Sequence, residues 1–338
     1  QHAEETPHGI IGLCVAIHGL VDQEEIVFTP NYTLQSDLKV QLEDVYPFYV
    51  HLENEANLAA LGEYTFGSSS DSVVSLSIHT GIGAGIVENG KLRTGKTGKA
   101  GEIGHSILYP DGRKCPCGNE GCLEQYASHQ AIYSELEQAL GLPDVNSSLV
   151  IERYKKGDPT VQKVLRTNAH YLSIAVNNLA VIYEPDLVVI NSSIYWQIPE
   201  LITILKGDLK GKFSCDTRVI SSSLKRKATL FGGVAKSTQN FLNIQNLKMN
   251  TEAKIKTTRS NITGGFDLYF ELLSRSNIPT ASIPLPALRS SAVLHHIFLF
   301  SRHSRIVPAV PHASSSVQST YSPCVGFSAS FVLHSPDL

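Results

Sequence analysis

The chain has 338 residues, 42% of them apolar and 17% charged, with a formal net charge of -3. That length exceeds what one core usually organises, so two or more domains are expected, and the slight acidity excludes a broad nonspecific nucleic-acid surface. No apolar run approaches the ~18 residues of a membrane span, and QHAEETPHG lacks the basic head and apolar core of a secretion signal. A soluble cytoplasmic protein with no membrane partner is the expectation.

The chain opens on Gln1 and its one methionine is Met249, so a piece cut on its N-terminal side is expected. GIIGLCVAIHGLV (9–21) is an apolar, β-branched run bounded by glycines and predicts a buried strand leaving into a turn. FTPNYTL reads as loop, LQSDLKVQLEDVY as an amphipathic helix, FYVHLEN (48–54) as a second strand, and ENEANLAALGEYTFG as a helix stopping at Gly67. GSSSDS (67–72) is a predicted loop, and VVSLSIHTGIGAGIVENGKL (73–92) predicts two strands joined through glycines. Further on, Val161, Val164, Leu165, Ala169, Leu172, Ala175, Val176, Leu179 and Tyr183 recur every three or four residues, which predicts a long core-facing helix that Pro185 stops. DLVVINSS, IPELITILKGDL, TRVIS and ATLFGGVAKSTQNFL (228–242) then read as strand, helix, strand and helix, the alternation of an α/β protein.

Beyond about residue 246 the acidic residues thin to Glu252, Asp267, Glu271 and Asp337, while Ser, Pro, His and Arg crowd in without a period. A disordered or non-native extension is predicted there. Its histidines, His295, His296, His303, His312 and His334, match no compact ligand set.

The chemistry concentrates in GEIGHSILYPDGRKCPCGNEGCLE (101–124), where Cys115, Cys117 and Cys122 fall within eight residues and His105 precedes Cys115 by ten. In a reducing compartment such spacing favours a metal over a disulfide, and a Cys₃His set closes the tetrahedral shell of zinc, leaving no place for a reactive water. The zinc is therefore expected to be structural, with free loop cysteines as the alternative. Such a metal would fix Glu102 against Glu124, and the second ring nitrogen of His105 would be left for a hydrogen bond. Carboxylates and an imidazole facing one pocket suit a polyol, whose hydroxyls donate to them. Elsewhere His18 and His79 read as satisfied core or turn residues, His51 as packing within its strand, Cys14 and Cys215 as small apolar core residues, and Trp196 as a surface or interface aromatic.

GEIGH followed by CPCGNEGCLEQYAS resembles the signature of the ROK family, which groups sugar kinases with sugar-responsive repressors. IHGLVD, PNYTL, ENEANLAALGEYTFG, HTGIGAGI and LFGGVA extend the likeness, in family order, from about Gly9 to Leu242. The resemblance implies a two-lobed, actin-like ATPase and ribonuclease H-like α/β fold with sugar in the cleft. Residues 1–78 would be the remnant of an incomplete N-terminal lobe, 79–245 the C-terminal lobe with the zinc motif, and 246–338 an unassigned tail. It also implies zinc ligands at His105, Cys115, Cys117 and Cys122, sugar contacts at Asn54, Glu55, Glu102, His105 and Glu124, and a phosphate-loop-like turn at Gly81 and Gly83.

Kinase members carry an aspartate base where Glu55 stands, and an extra methylene displaces the carboxylate by about 1 Å, a scale that can cost ~100-fold in rate. The glycine pair that lies against adenine in the kinases is replaced by Asn191-Ser192-Ser193, whose side chains are expected to crowd a nucleotide, and the first phosphate loop of the family does not occur in this sequence. With NEAN, IHGLVD and INSSIYWQIPELI, these departures make the chain similar to the xylose-repressor branch. That branch implies the effector-sensing region of a regulator of carbohydrate catabolic genes, with xylose or a related monosaccharide as effector, operator DNA bound through an upstream helix-turn-helix domain, and a homo-oligomer. The alternative within the same family is an ATP-dependent sugar kinase, with ATP and Mg²⁺ as cofactors and Glu55 as base.

Overall fold

In a computed structural model of the chain, the described residues are 10–30 and 37–249. Most of the FTPNYTL loop, and residues 250–338 of the predicted extension, lie outside them; its first residues, 246–249, instead pack on the core, with Leu247 buried and the Met249 N–H donating to the Thr65 carbonyl.

The expected first strand divides. β1 (Gly12–Ile17) ends at the His18-Gly19 turn, and β2 (Leu20–Asp22) pairs antiparallel with β3 (Glu25–Phe28). α1 (Leu38–Val45) follows, with Leu38 and Leu42 turned toward the small core under β1. β4 (Tyr49–Asn54) then lies parallel to β1, with Ile17 opposite Asn54. Because the two strands run in the same direction, their carboxyl ends deliver Gly19 and Asn54 to one edge of the sheet.

α2 (Glu55–Gly62) starts at once, and Asn54 caps it by accepting from the backbone N–H groups of Ala56 and Asn57 at 2.8 and 3.1 Å. The helix runs into a π-helical turn, Glu63–Gly67. β5 (Ser72–Ile78) and β6 (Ile82–Glu88) form the expected hairpin, and β7 (Lys91–Leu92) adds an edge.

Between residues 93 and 158, where no element is predicted, lie a 3-10 turn (Ile103–His105), α3 (Glu124–Ala127), α4 (His129–Leu140) and α5 (Ser147–Lys155). α6 (Pro159–Tyr183) matches the predicted helix end to end. Asp158 caps its start by accepting from Thr160 and Val161, Pro159 sits where no N–H is needed, and Glu184 leaves it in the left-handed region at φ 44°. β8 (Leu187–Asn191), α7 (Ser193–Gln197), α8 (Glu200–Asp208), β9 (Val219–Ser221) and α9 (Ala228–Leu242) complete the described chain.

β5 to β9 form one sheet in the order β7-β6-β5-β8-β9, with β8 parallel to both of its neighbours. β5 and β8 are buried almost throughout, which fits the apolar run of β8, whereas β5 also buries the small polar side chains of Ser75 and Ser77. The largest core lies between this sheet and α3 to α8.

α9 joins the halves of the molecule, packing on α2 and on β1. Its contact with α2 is backbone to backbone: a Cβ on Gly232 would stand 1.8 Å from the Leu58 carbonyl oxygen, and one on Gly62 would stand 2.1 Å from that of Ala228. Gly232→Val is therefore expected to force the helices apart and cost about 3 kcal/mol or more, near the top of the range for overpacked cores. Urea unfolding measures the loss, and an unchanged midpoint would show that the two helices can separate at no cost.

Candidate functional site

Four segments converge at the carboxyl ends of the parallel strands. They are the His18-Gly19 turn after β1, the Asn54-Glu55 junction of β4 and α2, the turn His79 to Gly83 between β5 and β6, and residues 102–124, which end at the start of α3. Asn54 is heavily committed: besides capping α2, its amide Nδ2 donates to the Gly19 carbonyl at 2.8 Å, tying the first segment to the second. One amide hydrogen is left for a ligand.

Glu55 opens α2 with its carboxylate mostly covered. It accepts from the Thr229 hydroxyl at 3.2 Å, and His79 Nε2 and His18 Nδ1 stand 3.9 and 4.0 Å from its two oxygens. The sequence reading placed these histidines in the core or in turns. The turn reading holds and the core reading fails, because the side chains of His18 and His79 are 58% and 41% exposed, respectively, and flank Glu55. The sequence signal was available: each precedes a glycine-bearing turn that follows a strand. Thr229, at the first turn of α9 and 174 positions from Glu55, had no such signal.

Glu124 reaches the glycine turn from the opposite side. Its Oε2 lies 3.4 Å from the Ile82 N–H, and a Cβ on Gly81 would sit 2.8 Å from that same oxygen. Gly81 therefore lets the carboxylate approach the turn, while Gly83 packs against Ala56 of α2. Glu124 Oε1 lies 3.9 Å from His105 Nδ1, and Glu102 lies 4.0 Å from His105 Nε2. Although the Glu102 side chain keeps 40% of its surface, crowding pushes its carboxyl above the usual carboxylate range; His105 opposes the shift and Glu124 adds to it.

The donor atoms of His105, Cys115, Cys117 and Cys122 all lie within 4.8 Å of one another. Bond lengths of ~2.3 Å to sulfur and ~2.05 Å to nitrogen give a zinc tetrahedron edges of about 3.8 Å between sulfurs and about 3.6 Å from sulfur to nitrogen. Cys117 and Cys122 have their sulfurs 3.6 Å apart, and Cys115 Sγ is 3.5 Å from His105 Nδ1. The residues thus fit a tetrahedral cation with Nδ1 as ligand, leaving Nε2 toward Glu102. Without a cation Cys122 is costly to ionise, because burial pushes its thiol up to about 12 and the neighbouring sulfurs add to the shift, whereas the Asn119 backbone draws the exposed Cys117 thiol down. A bound divalent ion reverses that preference.

The loop is anchored independently of the metal. The rings of Tyr109, Tyr126 and Tyr171 meet edge to face at 5.0 to 6.0 Å, the Arg113 guanidinium stacks 4.5 Å over Tyr126, and Tyr171 belongs to α6.

The Asn191-Ser192-Ser193 turn differs from the expectation. Asn191 and Ser192 are buried, with Ser192 Oγ 2.8 Å from His129 Nε2, so these two side chains turn inward and do not obstruct the cleft. Only Ser193 borders a cavity of about 420 Å³, which it shares with Trp196, Gln197 and the cationic run Lys225 to Lys227. Trp196, expected at a surface or interface, lines this cavity. Cys215 is exposed, contrary to the core reading, because it closes a surface turn after α8; Cys14 is buried as expected. His51 is buried and does more than pack, with Nδ1 2.6 Å from Glu24.

Burial pushes His129 down to about 3, and His79 adds to the shift. The unfolded chain therefore takes up a proton below about pH 6.5 that the folded chain refuses. The stability conferred by neutral His129 is complete above that pH and declines as pH falls toward 3, by about 2 kcal/mol at pH 5. Urea unfolding between pH 7 and about 5 is expected to show a shallower slope for His129→Asn than for the wild type. Equal slopes would place the titrating group elsewhere.

No helix among the described residues is long and apolar enough to cross a membrane. Compared with known proteins, the chain is 33% identical over 239 residues to the xylose repressor of Bacillus subtilis (strain 168), an alignment covering 68% of this chain and 61% of that protein. The chain thus spans less than two thirds of that relative's length. Among solved structures, the ROK family glucokinase from Streptomyces griseus in complex with glucose and AMPPNP matches with a TM-score of 0.63 and 27% identity, over 69% of this chain and 83% of that one. A ROK family transcriptional regulator, a homolog of the E. coli MLC protein, matches with a TM-score of 0.62 and 26% identity, over 69% of this chain and 63% of that one. The fold is accordingly the two-lobed actin-like one, in which β1 and β4 belong to one half and the five-stranded sheet to the other. The description "ROK family" is also that of the family model matched by residues 1–239, and the chain belongs to the ROK family.

Proposed function

We propose that the chain is the sugar-sensing region of a transcriptional repressor responsive to xylose or a related pentose. The observation that carries this reading is that Glu102 and Glu124 flank His105 while Glu124 also reaches the His79–Gly83 turn, whose His79 stands beside Glu55 at the start of α2. Asn54, Glu55, Glu102, His105 and Glu124 are the proposed sugar contacts. Zinc, held by His105, Cys115, Cys117 and Cys122, has a structural role: it fixes the ring of His105, and with it the separation of the two carboxylates. β1 to β4 lie in the first lobe and the five-stranded sheet in the second, so the boundary falls before β5 (Ser72–Ile78) and not at the expected residue 78, with α9 returning across it to pack on β1.

In the whole protein, a helix-turn-helix domain upstream reads operator DNA, and the chain works as a homo-oligomer. Sugar closes the cleft, and closure lowers operator affinity by as much as sugar prefers the closed state. The likeness to xylose repressors supports this reading over catalysis, as does the way Thr229, His18 and His79 crowd Glu55, the candidate base.

The kinase reading keeps one specific support, since Asn191 and Ser192 turn away from the place a nucleotide would need. The test is calorimetric titration of the zinc-loaded chain with xylose, glucose and fructose, beside a coupled assay of ATP turnover on each. Saturable xylose binding without turnover is the expected result. Turnover of several per second on any of these sugars would establish the kinase instead.

A further inference from the structure

Cys117 and Cys122 differ in a way that four-ligand closure does not require. Cys122 is fully buried, and the bridge between Ile107 and Cys122, with the bond from Leu123 N–H to the Ser106 carbonyl, holds its backbone. Cys117 is exposed, beside Gly118 at the tip of a small hairpin closed by Cys115 N–H to Asn119 O and Gly118 N–H to Cys115 O. A Cβ on Gly118 would meet nothing within 4 Å, so the tip has room to move. The two sulfurs are 3.6 Å apart, about 1.5 Å beyond a disulfide bond length. Cys115 is less available: it is buried, and its sulfur accepts from Gln125 Nε2 while facing His105 Nδ1.

We propose that Cys117 and Cys122 form a hydroperoxide-responsive pair whose oxidation expels the metal and loosens the sugar site. The inference rests on the zinc reading above. The exposed Cys117 sulfur attacks the outer oxygen of the hydroperoxide, breaking the O–O bond; Cys117 becomes a sulfenic acid, and the departing hydroxide, or alkoxide from an organic hydroperoxide, takes a proton from solvent. Cys122 sulfur then displaces hydroxide from the sulfenic sulfur, closing the disulfide, and that hydroxide takes a second solvent proton to leave as water. Two electrons pass from the two sulfurs to the peroxide, and the divalent ion leaves hydrated because two of its four ligands no longer carry charge. His105 Nδ1 is then unligated, and its ring is held between Glu102 and Glu124 only by those carboxylates and Cys115. Peroxide would thereby reduce the sugar response without touching the sugar contacts themselves.

The test uses the zinc-loaded chain, reduced and desalted without oxygen. Elemental analysis comes first: a reconstituted chain that holds no zinc overturns the zinc reading and this inference with it. Hydrogen peroxide is then titrated in the presence of a chromogenic zinc chelator, with peptide mass mapping and xylose titration of the same samples. Expected are one zinc released per two thiols lost, a Cys117–Cys122 disulfide, xylose affinity lowered at least about tenfold, and recovery with dithiothreitol and zinc. Cys215→Ser, which removes the other exposed thiol among the described residues, is expected to behave as the wild type. With zinc bound at the start, three results each overturn the inference alone: zinc retained after Cys215 has been oxidised, zinc released with sulfinic acids or a Cys115 disulfide, or xylose affinity unchanged by its release.

Discussion

Replacing Cys122 with serine is expected to lower bound zinc from about one ion per chain to under a tenth of that, because a structural zinc site draws ~10–16 kcal/mol from a full set of ionised ligands. Of the four proposed ligands, Cys122 is least able to be replaced by solvent, since it is fully buried and its sulfur also lies 3.6 Å from the His105 carbonyl oxygen. A serine hydroxyl is shorter, harder and not ionised near neutrality. Water cannot take its place without opening the bridge to Ile107.

Loss of the ion should be felt locally. Hydrogen exchange is expected to quicken at the amides of Cys115, Gly121 and Leu123, which are bonded to the carbonyls of Asn119, Arg113 and Ser106. The main core should stay protected, because Tyr109, Tyr126 and Tyr171 anchor the loop to α6 independently of the metal. Zinc content by elemental analysis after desalting, read with exchange, checks both halves. A variant that retained one zinc per chain would show that Cys122 is not a ligand.

The parts of the molecule legible in the sequence are those whose cause is local. The spacing of apolar residues in α6, the stop at Pro185 and the hairpin glycines of β5 and β6 are each set by neighbours within a turn or a strand, and each appears where it was expected. The His-Cys-Cys-Cys set was legible for the same reason, since four ligands within 18 residues need only one loop to meet.

What was not legible depends mostly on segments far apart in the chain. The Gly19 turn that breaks β1 from β2 is tied to Asn54, 35 positions away, a contact that no periodicity encodes, while β3 returns on β2 through the left-handed pair Gln23-Glu24, which carries none of the usual turn residues. Cys215 shows the opposite error. A small apolar residue between strands was given to the core, yet the turn after α8 closes on α6 through Ser214 and Asn177 and leaves Cys215 outside. Asn191 and Ser192 were assigned by position to the cleft wall, whereas a buried histidine 63 positions from Ser192 supplies an inward partner. Near Glu55 both limits meet. Its place at the start of α2 was read from the motif, but Thr229, His18 and His79 were not, although they set how that carboxylate can be used.

The sharpest separation of metal from sugar comes from the two carboxylates beside His105. Glu124 is mostly buried and aims one oxygen at the glycine turn and the other at His105, so a sugar hydroxyl reaching it would meet a carboxylate already fixed in place. Hydrogen bonds to a charged acceptor contribute about 1.5–3 kcal/mol each, and two of them set a loss on the order of 100-fold or more in xylose affinity for Glu124→Ala. Glu102 is more exposed and its position rests on His105 alone, so Glu102→Ala is expected to lose about tenfold.

Neither carboxylate belongs to the zinc set, and both variants should keep about one zinc per chain. Glu124→Gln separates charge from packing, because the amide preserves the shape that Gly81 accommodates while weakening acceptance from a hydroxyl; its affinity should fall between those of Glu124→Ala and the wild type. Xylose titration with zinc content measured on the same samples distinguishes the outcomes. Weak binding with zinc intact places the sugar on these residues, weak binding with zinc lost makes the carboxylates supports of the metal loop, and wild-type binding in both alanine variants puts the sugar pocket elsewhere in the molecule.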